Sequence, residues 1–167
     1  MRLRPYIHRH DFEKIQNWIT DERTHAMWCA NHIKFPLEKE DFEQTLDRMY
    51  GLYGDLPFIA VTDEGKAAGF ICCSVNYETN EAMLAFVMVP PEERGKGTAV
   101  EMLGLASRYC FGILGADTVQ LNVFDANIRA RKCYEKAGFT ERRLERDAFA
   151  YKDELWGRCN MVLSKTT

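Results

Sequence analysis

The chain of 167 residues is 46% hydrophobic and 28% charged, and its net charge at neutral pH is −3. This length predicts a single domain over residues 1–167, with a hydrophobic core large enough to need no disulfide or metal for stability. The surplus of acidic residues disfavours sequence-independent binding of nucleic acid, and the apolar runs are too short to cross a membrane.

The first third of the chain is predicted to hold one strand and two helices. Residues Arg2–Arg9 alternate weakly, and Asp11 after them is predicted to be the N-cap of the first helix. An apolar stripe at helical spacing predicts the second helix after Pro36. The segment 20–35 between these helices has no clear period and is predicted to be a loop, with partial helical structure left open.

The rest of the chain is predicted to be mainly strands. In chain order, the predicted elements are strands 58–62, 66–75 and 81–89, helix 98–114, strand 118–124, helix 128–137, and a closing hairpin of strands 139–151 and 156–163. Short turns favour antiparallel neighbours, whereas a helix between two strands permits a parallel pair. The predicted fold class is therefore α+β, with a central mixed, mostly antiparallel sheet of about seven strands and helices on both faces.

Histidine and cysteine spacing predicts neither a metal site nor a disulfide framework. His8 and His10 would face the same side of the predicted strand, but no third ligand accompanies them. The six cysteines include no Cys-x-x-Cys pair, and the adjacent Cys72 and Cys73 should point to opposite faces of a strand. Reduced thiols and a polar N-terminus without a signal-peptide core predict a cytoplasmic protein.

The turn before helix 98–114 is rich in glycine and basic residues. Between Pro91 and Val100 the sequence reads Glu-Glu-Arg-Gly-Lys-Gly-Thr-Ala. The first amides of a helix have no intrahelical partner, and glycine lets the backbone approach a ligand closely. The amides of residues 95–99 are therefore predicted to bind a phosphate group, unless the turn is simply solvated. The spacing matches neither a P-loop nor a dinucleotide fingerprint, which would need Gly or Ala in place of Val100.

The same turn carries a resemblance to a known family. Residues 94–99 resemble the Arg/Gln-x-x-Gly-x-Gly/Ala signature of the GNAT superfamily of N-acetyltransferases. The segment Asn127–Phe139 is similar to that family's downstream element, and the order of elements matches from end to end. The resemblance implies a GNAT-like fold and transfer of an acetyl group from acetyl-CoA, without metal, to a primary amine of a small molecule or a peptide N-terminus. The opening Leu3–Pro5 and the tail 146–156 look like the branch that acetylates ribosomal-protein N-termini.

The resemblance also implies a set of site residues. The glycine turn would hold the CoA pyrophosphate, the end of the preceding strand would bind the pantetheine arm, and Tyr134 would protonate the departing thiolate. The implied cofactor contacts are Val87, Met88, Val89, Arg94, Gly95, Lys96, Gly97, Thr98, Ala99, Asn127 and Tyr134. Asn127 is also suited to capping the helix that follows it, and Tyr134 is also suited to packing on the sheet.

The sequence gives fewer indications of the general base and the acceptor site than of the cofactor site. Glu81 is predicted to deprotonate the amine, with Glu78, His32 or a water chain as alternatives. Trp28, His32 and Tyr151 are predicted to line the acceptor pocket, whose second wall would be the closing hairpin. A homodimer is common in such families and is an expectation here. The alternative function is a non-catalytic acyl-CoA-binding module of the same fold.

Overall fold

The computed structural model describes residues 1–166, which form a seven-stranded sheet and, within that range, five α-helices. The strands are β1 (Arg2–Pro5), β2 (Leu56–Val61), β3 (Ala67–Asn76), β4 (Glu81–Met88), β5 (Thr118–Phe124), β6 (Thr140–Tyr151) and β7 (Glu154–Ser164). The helices are α1 (His8–Ile15), α2 (Glu22–Cys29), α3 (Lys39–Tyr53), α4 (Thr98–Gly112) and α5 (Ile128–Lys136), and a 3₁₀ turn covers Pro91–Glu93. The elements predicted from residue 56 onward all form, with their ends within two residues of the prediction.

The sheet has the strand order β1-β2-β3-β4-β5-β7-β6, and its neighbouring strands are antiparallel except for the parallel pair β4 and β5. Alternate residues of β3 belong to different cores. Ile71 and Cys73 pack in the core that includes α4, whereas Phe70 and Cys72 pack in the core that includes α1 and α3. Helices therefore cover both faces, and the predicted mixed, mostly antiparallel sheet is confirmed.

The parallel strands β4 and β5 separate after a short paired stretch. Glu81–Met83 pair with Thr118–Gln120, whereas beyond them the two strands continue to Met88 and Phe124 without pairing with each other. Opposite β3, strand β4 carries one extra residue, and Phe86 at this bulge has a φ of 53°. Because a bulge bends and twists its strand, β4 turns away from β5. The sheet is thereby left with an opening bordered by free backbone groups.

The N-terminal segment differs from the prediction in where α1 begins. The helix starts at His8, with Ile7 as its N-cap, so His8 and His10 are helical and do not lie on a strand. Asp11 is consequently inside the first turn and is not the N-cap that was predicted. Its carboxylate accepts the Ile7 amide at 2.8 Å and two guanidinium hydrogen bonds from Arg4 at 2.7 Å. This buried ion pair ties β1 to α1.

Segment 20–35, predicted as a loop with partial helical structure left open, contains α2. The side chain of its N-cap, Asp21, accepts a hydrogen bond from the Thr24 amide at 2.8 Å. Ala26 and Cys29 on its inner face are buried, which stabilises a helix whose apolar period is too short to stand out in the sequence. In the described part of the chain, no helix has the length and apolar character needed to cross a bilayer.

Candidate active site

Two cavities meet at the opening between β4 and β5. The first, here called the turn cavity, has a volume of about 590 Å³ and is lined by β4, the glycine turn and α5. The second, here called the acidic cavity, has a volume of about 850 Å³ and is lined by Asp55, Glu78 and Glu81. Both are lined by Trp28 and by Leu84–Phe86, so a molecule in one cavity can reach a molecule in the other at this point.

The glycine turn presents open backbone amides to the turn cavity. Gly97, the N-cap of α4, has a φ of 84°, and Gly95 has a φ of 77°. These left-handed conformations are strained for residues with a Cβ, which explains glycine at both positions. Because Gly97 has no side chain to accept a hydrogen bond, the first amides of α4 stay available for an anion.

The side chains of the glycine turn have different surroundings. Arg94 lines the turn cavity, but its guanidinium donates a hydrogen bond to the Trp18 carbonyl oxygen at 2.8 Å. Lys96 is exposed and does not line the cavity. Glu93 lines the cavity and accepts a hydrogen bond from the Thr98 hydroxyl at 2.8 Å. Within the turn itself, the attraction for an anion therefore comes mainly from the amides and dipole of α4.

The other predicted cofactor contacts all reach the turn cavity. Its lining includes Val87, Met88, Val89, Gly95, Gly97, Thr98, Ala99, Asn127 and Tyr134. Asn127 also caps α5, since its Oδ1 atom accepts a hydrogen bond from the Ala130 amide at 3.2 Å. The structure thus realises the capping role and leaves the same residue at the cavity wall.

Tyr134 lies on α5, only 8% exposed, at the wall of the turn cavity. Burial raises the pKa of its hydroxyl well above the usual range, and the neighbouring Cys133 thiol adds to this effect. The phenol consequently keeps its proton at neutral pH. A protonated hydroxyl at the cavity wall is suited to donating that proton to a leaving group.

A basic face of α5 was missed in the sequence. Arg129, Lys132 and Lys136 line the turn cavity, and all three side chains are exposed at its mouth. Their spacing of three and four residues places them on one side of the helix. That spacing was visible in the sequence, but charged residues on a short helix are usually just solvated.

Glu81 lies in the acidic cavity as part of a hydrogen-bonded network. Its Oε1 atom accepts a hydrogen bond from the Arg142 guanidinium at 2.6 Å, and its Oε2 atom accepts one from the Gln120 amide at 3.1 Å. Arg142 also donates to the Asn160 amide oxygen at 2.8 Å. Both carboxylate oxygens of Glu81 are therefore engaged, a constraint that no local sequence pattern indicates because Arg142 comes from β6.

The predicted acceptor residues divide into two groups. Trp28 lines both cavities, and His32 lines the acidic cavity. Tyr151 lines neither, so the structure does not bring it together with the other two: its ring stacks on Trp156 at 4.9 Å, and the Arg23 guanidinium lies 5.9 Å from its centroid. The closing hairpin packs these aromatic rings against α2, away from the acidic cavity. Within residues 1–166, no cluster of three His, Cys, Asp or Glu side chains is arranged to hold a metal ion.

Comparison with known proteins agrees with this geometry. The model of the acetyltransferase (GNAT) family matches residues 12–139. The chain belongs to this family. Among solved structures, it is similar to the spermidine N-acetyltransferase from Vibrio cholerae in complex with CoA and spermine, with a TM-score of 0.80, 22% identity and coverage of 97% of this chain and 94% of that one. A chimera of the Vibrio cholerae enzyme with hSSAT has a TM-score of 0.79, 21% identity and coverage of 97% and 93%.

At these identities the solved structures show a shared fold, while the match to the family model shows the family. The predictions of a GNAT fold and of an acetyl-CoA-dependent N-acetyltransferase are thereby confirmed. The likeness to the branch that acetylates ribosomal proteins stays a prediction, as do the cytoplasmic location and the homodimer.

Proposed function

We propose that the protein acetylates a small primary amine, which enters through the acidic cavity and attacks acetyl-CoA bound in the turn cavity. The observation that carries this proposal is the meeting of the two cavities at the opening between β4 and β5. One cavity ends at unpaired amides and basic side chains, which suit phosphates, and the other contains carboxylates, which suit a cation. The similar Vibrio cholerae enzyme, which was crystallised with spermine, supports a small amine as the acceptor.

In this proposal the walls of the turn cavity orient the co-substrate. The amides of Gly95–Ala99 bind the pyrophosphate, while the unpaired backbone of β4 aligns the pantetheine arm along the opening. Asn127 contributes a further polar contact at the start of α5. These contacts aim the thioester at the point where the cavities meet, so that an amine arriving from the acidic cavity needs no further reorientation.

Two proton transfers accompany the reaction. Acetyl-CoA supplies an activated acyl group, which passes to the amine nitrogen as the carbon–sulfur bond breaks. The Tyr134 hydroxyl donates its proton to the departing thiolate as the carbon–sulfur bond breaks, and solvent then returns a proton to the phenolate. A thiol has an ordinary pKa of about 8.5 and a phenol one of about 10, so the phenolate is the stronger base and regains its proton readily. Glu81 lies on the stretch of β4 that still pairs with β5, before the opening begins, so this carboxylate takes the proton of the amine through a water molecule.

Replacing Glu81 by glutamine is expected to lower kcat by roughly 100-fold at neutral pH, because the relay for the amine's proton is removed. Raising the pH should restore part of the loss, since more of the amine is then already deprotonated. Steady-state rates across a pH series measure this effect. Glu78→Gln is the matched control, since Glu78 lines the same cavity but is exposed. An equal loss in both variants, or none in Glu81→Gln, would assign the base elsewhere.

Neutralising the basic face of α5 with Lys132→Gln and Lys136→Gln together is expected to raise the KM for acetyl-CoA by roughly 3- to 10-fold, the size typical of two exposed ion pairs. These side chains are proposed to bind the 3′-phosphate of CoA at the cavity mouth. Acetyl-dephospho-CoA, which lacks this phosphate, should show little difference between variant and wild type. Lys39→Gln, an exposed change on α3, is the control. An equal effect on both acyl donors would contradict the assignment.

The experiment that tests the proposed function is the release of CoA thiol from acetyl-CoA in the presence of small amines and peptides with free N-termini. Release that depends on a small amine supports the proposal, whereas release with peptides alone would redirect it to protein N-termini. Thermal stabilisation by acetyl-CoA without release with any acceptor would instead support the non-catalytic binding module.

A further inference from the structure

Asp55 is a buried carboxylate in the acidic cavity with no cation beside it. Asp55 comes just after Gly54, the C-cap of α3, and the residue is 7% exposed. Burial raises the pKa of its carboxyl group above the ordinary value, and the one hydrogen-bonding group that opposes this effect is the Ser74 hydroxyl. Within residues 1–166, Asp55 forms no ion pair with a Lys, Arg or His side chain. A buried charge without a partner is costly and therefore needs an explanation.

Two other acidic side chains that are buried or partly buried near the sheet have basic partners. Asp11 is fully buried but receives the Arg4 guanidinium. Glu81, in the same cavity as Asp55, is paired with Arg142 at 2.6 Å. Asp55 is thus set apart by having an open cavity, instead of a basic partner, in front of it. Arg158 also lines this cavity, but its ion pair is with Glu145 at 3.8 Å.

The register of the sheet places Asp55 at a defined distance from the opening. Leu56 pairs with Cys73 in β3, so Asp55 lies beside Ser74, and Ser74 pairs with Met83 in β4. All of Asp55, Ser74 and Met83 line the acidic cavity. Two strand spacings separate Asp55 from β4, a distance of about 10 Å. The Met83 side chain, which is apolar, lies between the carboxylate and the opening.

We propose that Asp55 binds a second ammonium group of the acceptor, so that the enzyme prefers diamines or longer polyamines over monoamines. The inference rests on the proposed function, in which the reacting amine lies at the opening between β4 and β5. The methylene chain of such an acceptor lies over Met83, and its far end reaches the carboxylate. Tyr53 and Tyr77, both exposed at the rim of the cavity, add aromatic surface of the kind that attracts cations.

The test compares diaminoheptane with heptylamine, two acceptors of equal carbon number that differ in the second amine. For the wild type, kcat/KM should be higher with diaminoheptane. Asp55→Asn should raise the KM for diaminoheptane by roughly 10- to 100-fold, because a hydrogen bond to a charged group is lost, and should leave the KM for heptylamine within about twofold. Asp47→Asn, an exposed change on α3, is the charge-matched control.

Two further measurements separate this role from a structural one. Asp55→Asn should melt at the same or a higher temperature than the wild type, because a buried amide is less costly than a buried unpaired charge. Calorimetric titration of diaminoheptane into the protein with CoA present measures binding without turnover, so it decides the role of Asp55 even if no amine is acetylated. Binding that is lost in Asp55→Asn supports the inference. Equal binding by the variant, no binding by the wild type, or equal KM changes for both amines would overturn it.

Discussion

Replacing Tyr134 by phenylalanine is expected to lower kcat by roughly 100- to 10,000-fold, while the KM for acetyl-CoA stays nearly unchanged. The phenylalanine ring preserves the packing of this buried side chain against the core around α4. Only the hydroxyl at the wall of the turn cavity is lost, and with it the proton for the departing thiolate. Single-turnover measurements of the chemical step show this loss directly.

Tyr109→Phe is the matched control for this experiment. Tyr109 lies on α4, where its ring packs edge-on against Phe58 at 5.2 Å, and it does not line the turn cavity. Its replacement should leave kcat unchanged. If Tyr134→Phe has the same kcat as Tyr109→Phe, the thiolate takes its proton from another source, and Tyr134 serves only to pack α5 on the sheet.

Replacing Arg4 by methionine is expected to lower the free energy of unfolding by about 3 kcal/mol at neutral pH. This is the lower end of the range for breaking a buried ion pair, because the Arg4 side chain is 27% exposed while that of Asp11 is fully buried. The variant keeps the apolar stem of the side chain but removes both guanidinium hydrogen bonds to the Asp11 carboxylate. The remaining charged neighbour is Lys14, whose Nζ atom lies 3.6 Å from Asp11 Oδ1. Urea unfolding of the two proteins measures the difference.

The difference in the free energy of unfolding between the wild type and Arg4→Met should depend on pH. The Arg4 guanidinium and the Ile7 amide hold the pKa of Asp11 in the folded protein below its ordinary value of 3.8, although burial opposes them. A carboxyl with a lowered folded-state pKa stabilises the protein above its unfolded pKa and loses this contribution as the pH falls through the folded value. The gap between wild type and Arg4→Met should therefore be largest at neutral pH and should narrow below about pH 4.

Arg2→Met controls for the loss of a positive charge on β1. Arg2 is exposed and lies two residues from Arg4, without an ion pair to Asp11. Its replacement should change the free energy of unfolding by less than about 0.5 kcal/mol at either pH. If Arg2→Met and Arg4→Met were equally destabilising, or the gap for Arg4→Met were independent of pH, the Asp11 ion pair would not be the source of the effect.

Local pattern explains why the second half of the chain was predicted well. The glycine turn at residues 94–99 combines backbone freedom with a helix start, and both features are properties of neighbouring residues. The strands around it alternate or are continuously apolar, so their type follows from burial on one face or on both. The prediction was weaker before residue 56, where α2 is short and where Asp11 resembles an N-cap but binds Arg4.

Several features of the site depend on tertiary contacts that the sequence does not show. Glu81 meets Arg142 across the sheet, at a separation of 61 residues. Tyr151 was predicted at the acceptor pocket, but the closing hairpin turns it onto Trp156. Asp55 was not singled out, because an aspartate after a helix is ordinary in a sequence, and only its burial beside an open cavity distinguishes it.

The sequence by itself determined the order of strands and helices from residue 56 onward and the glycine turn at the start of α4, because each follows from the periodicity or conformational freedom of adjacent residues. Only the tertiary structure decided where β4 leaves β5, which carboxylates are neutralised, and which aromatic rings border a cavity. Those features arise from strand register and from long-range packing, which bring together residues that no local spacing connects.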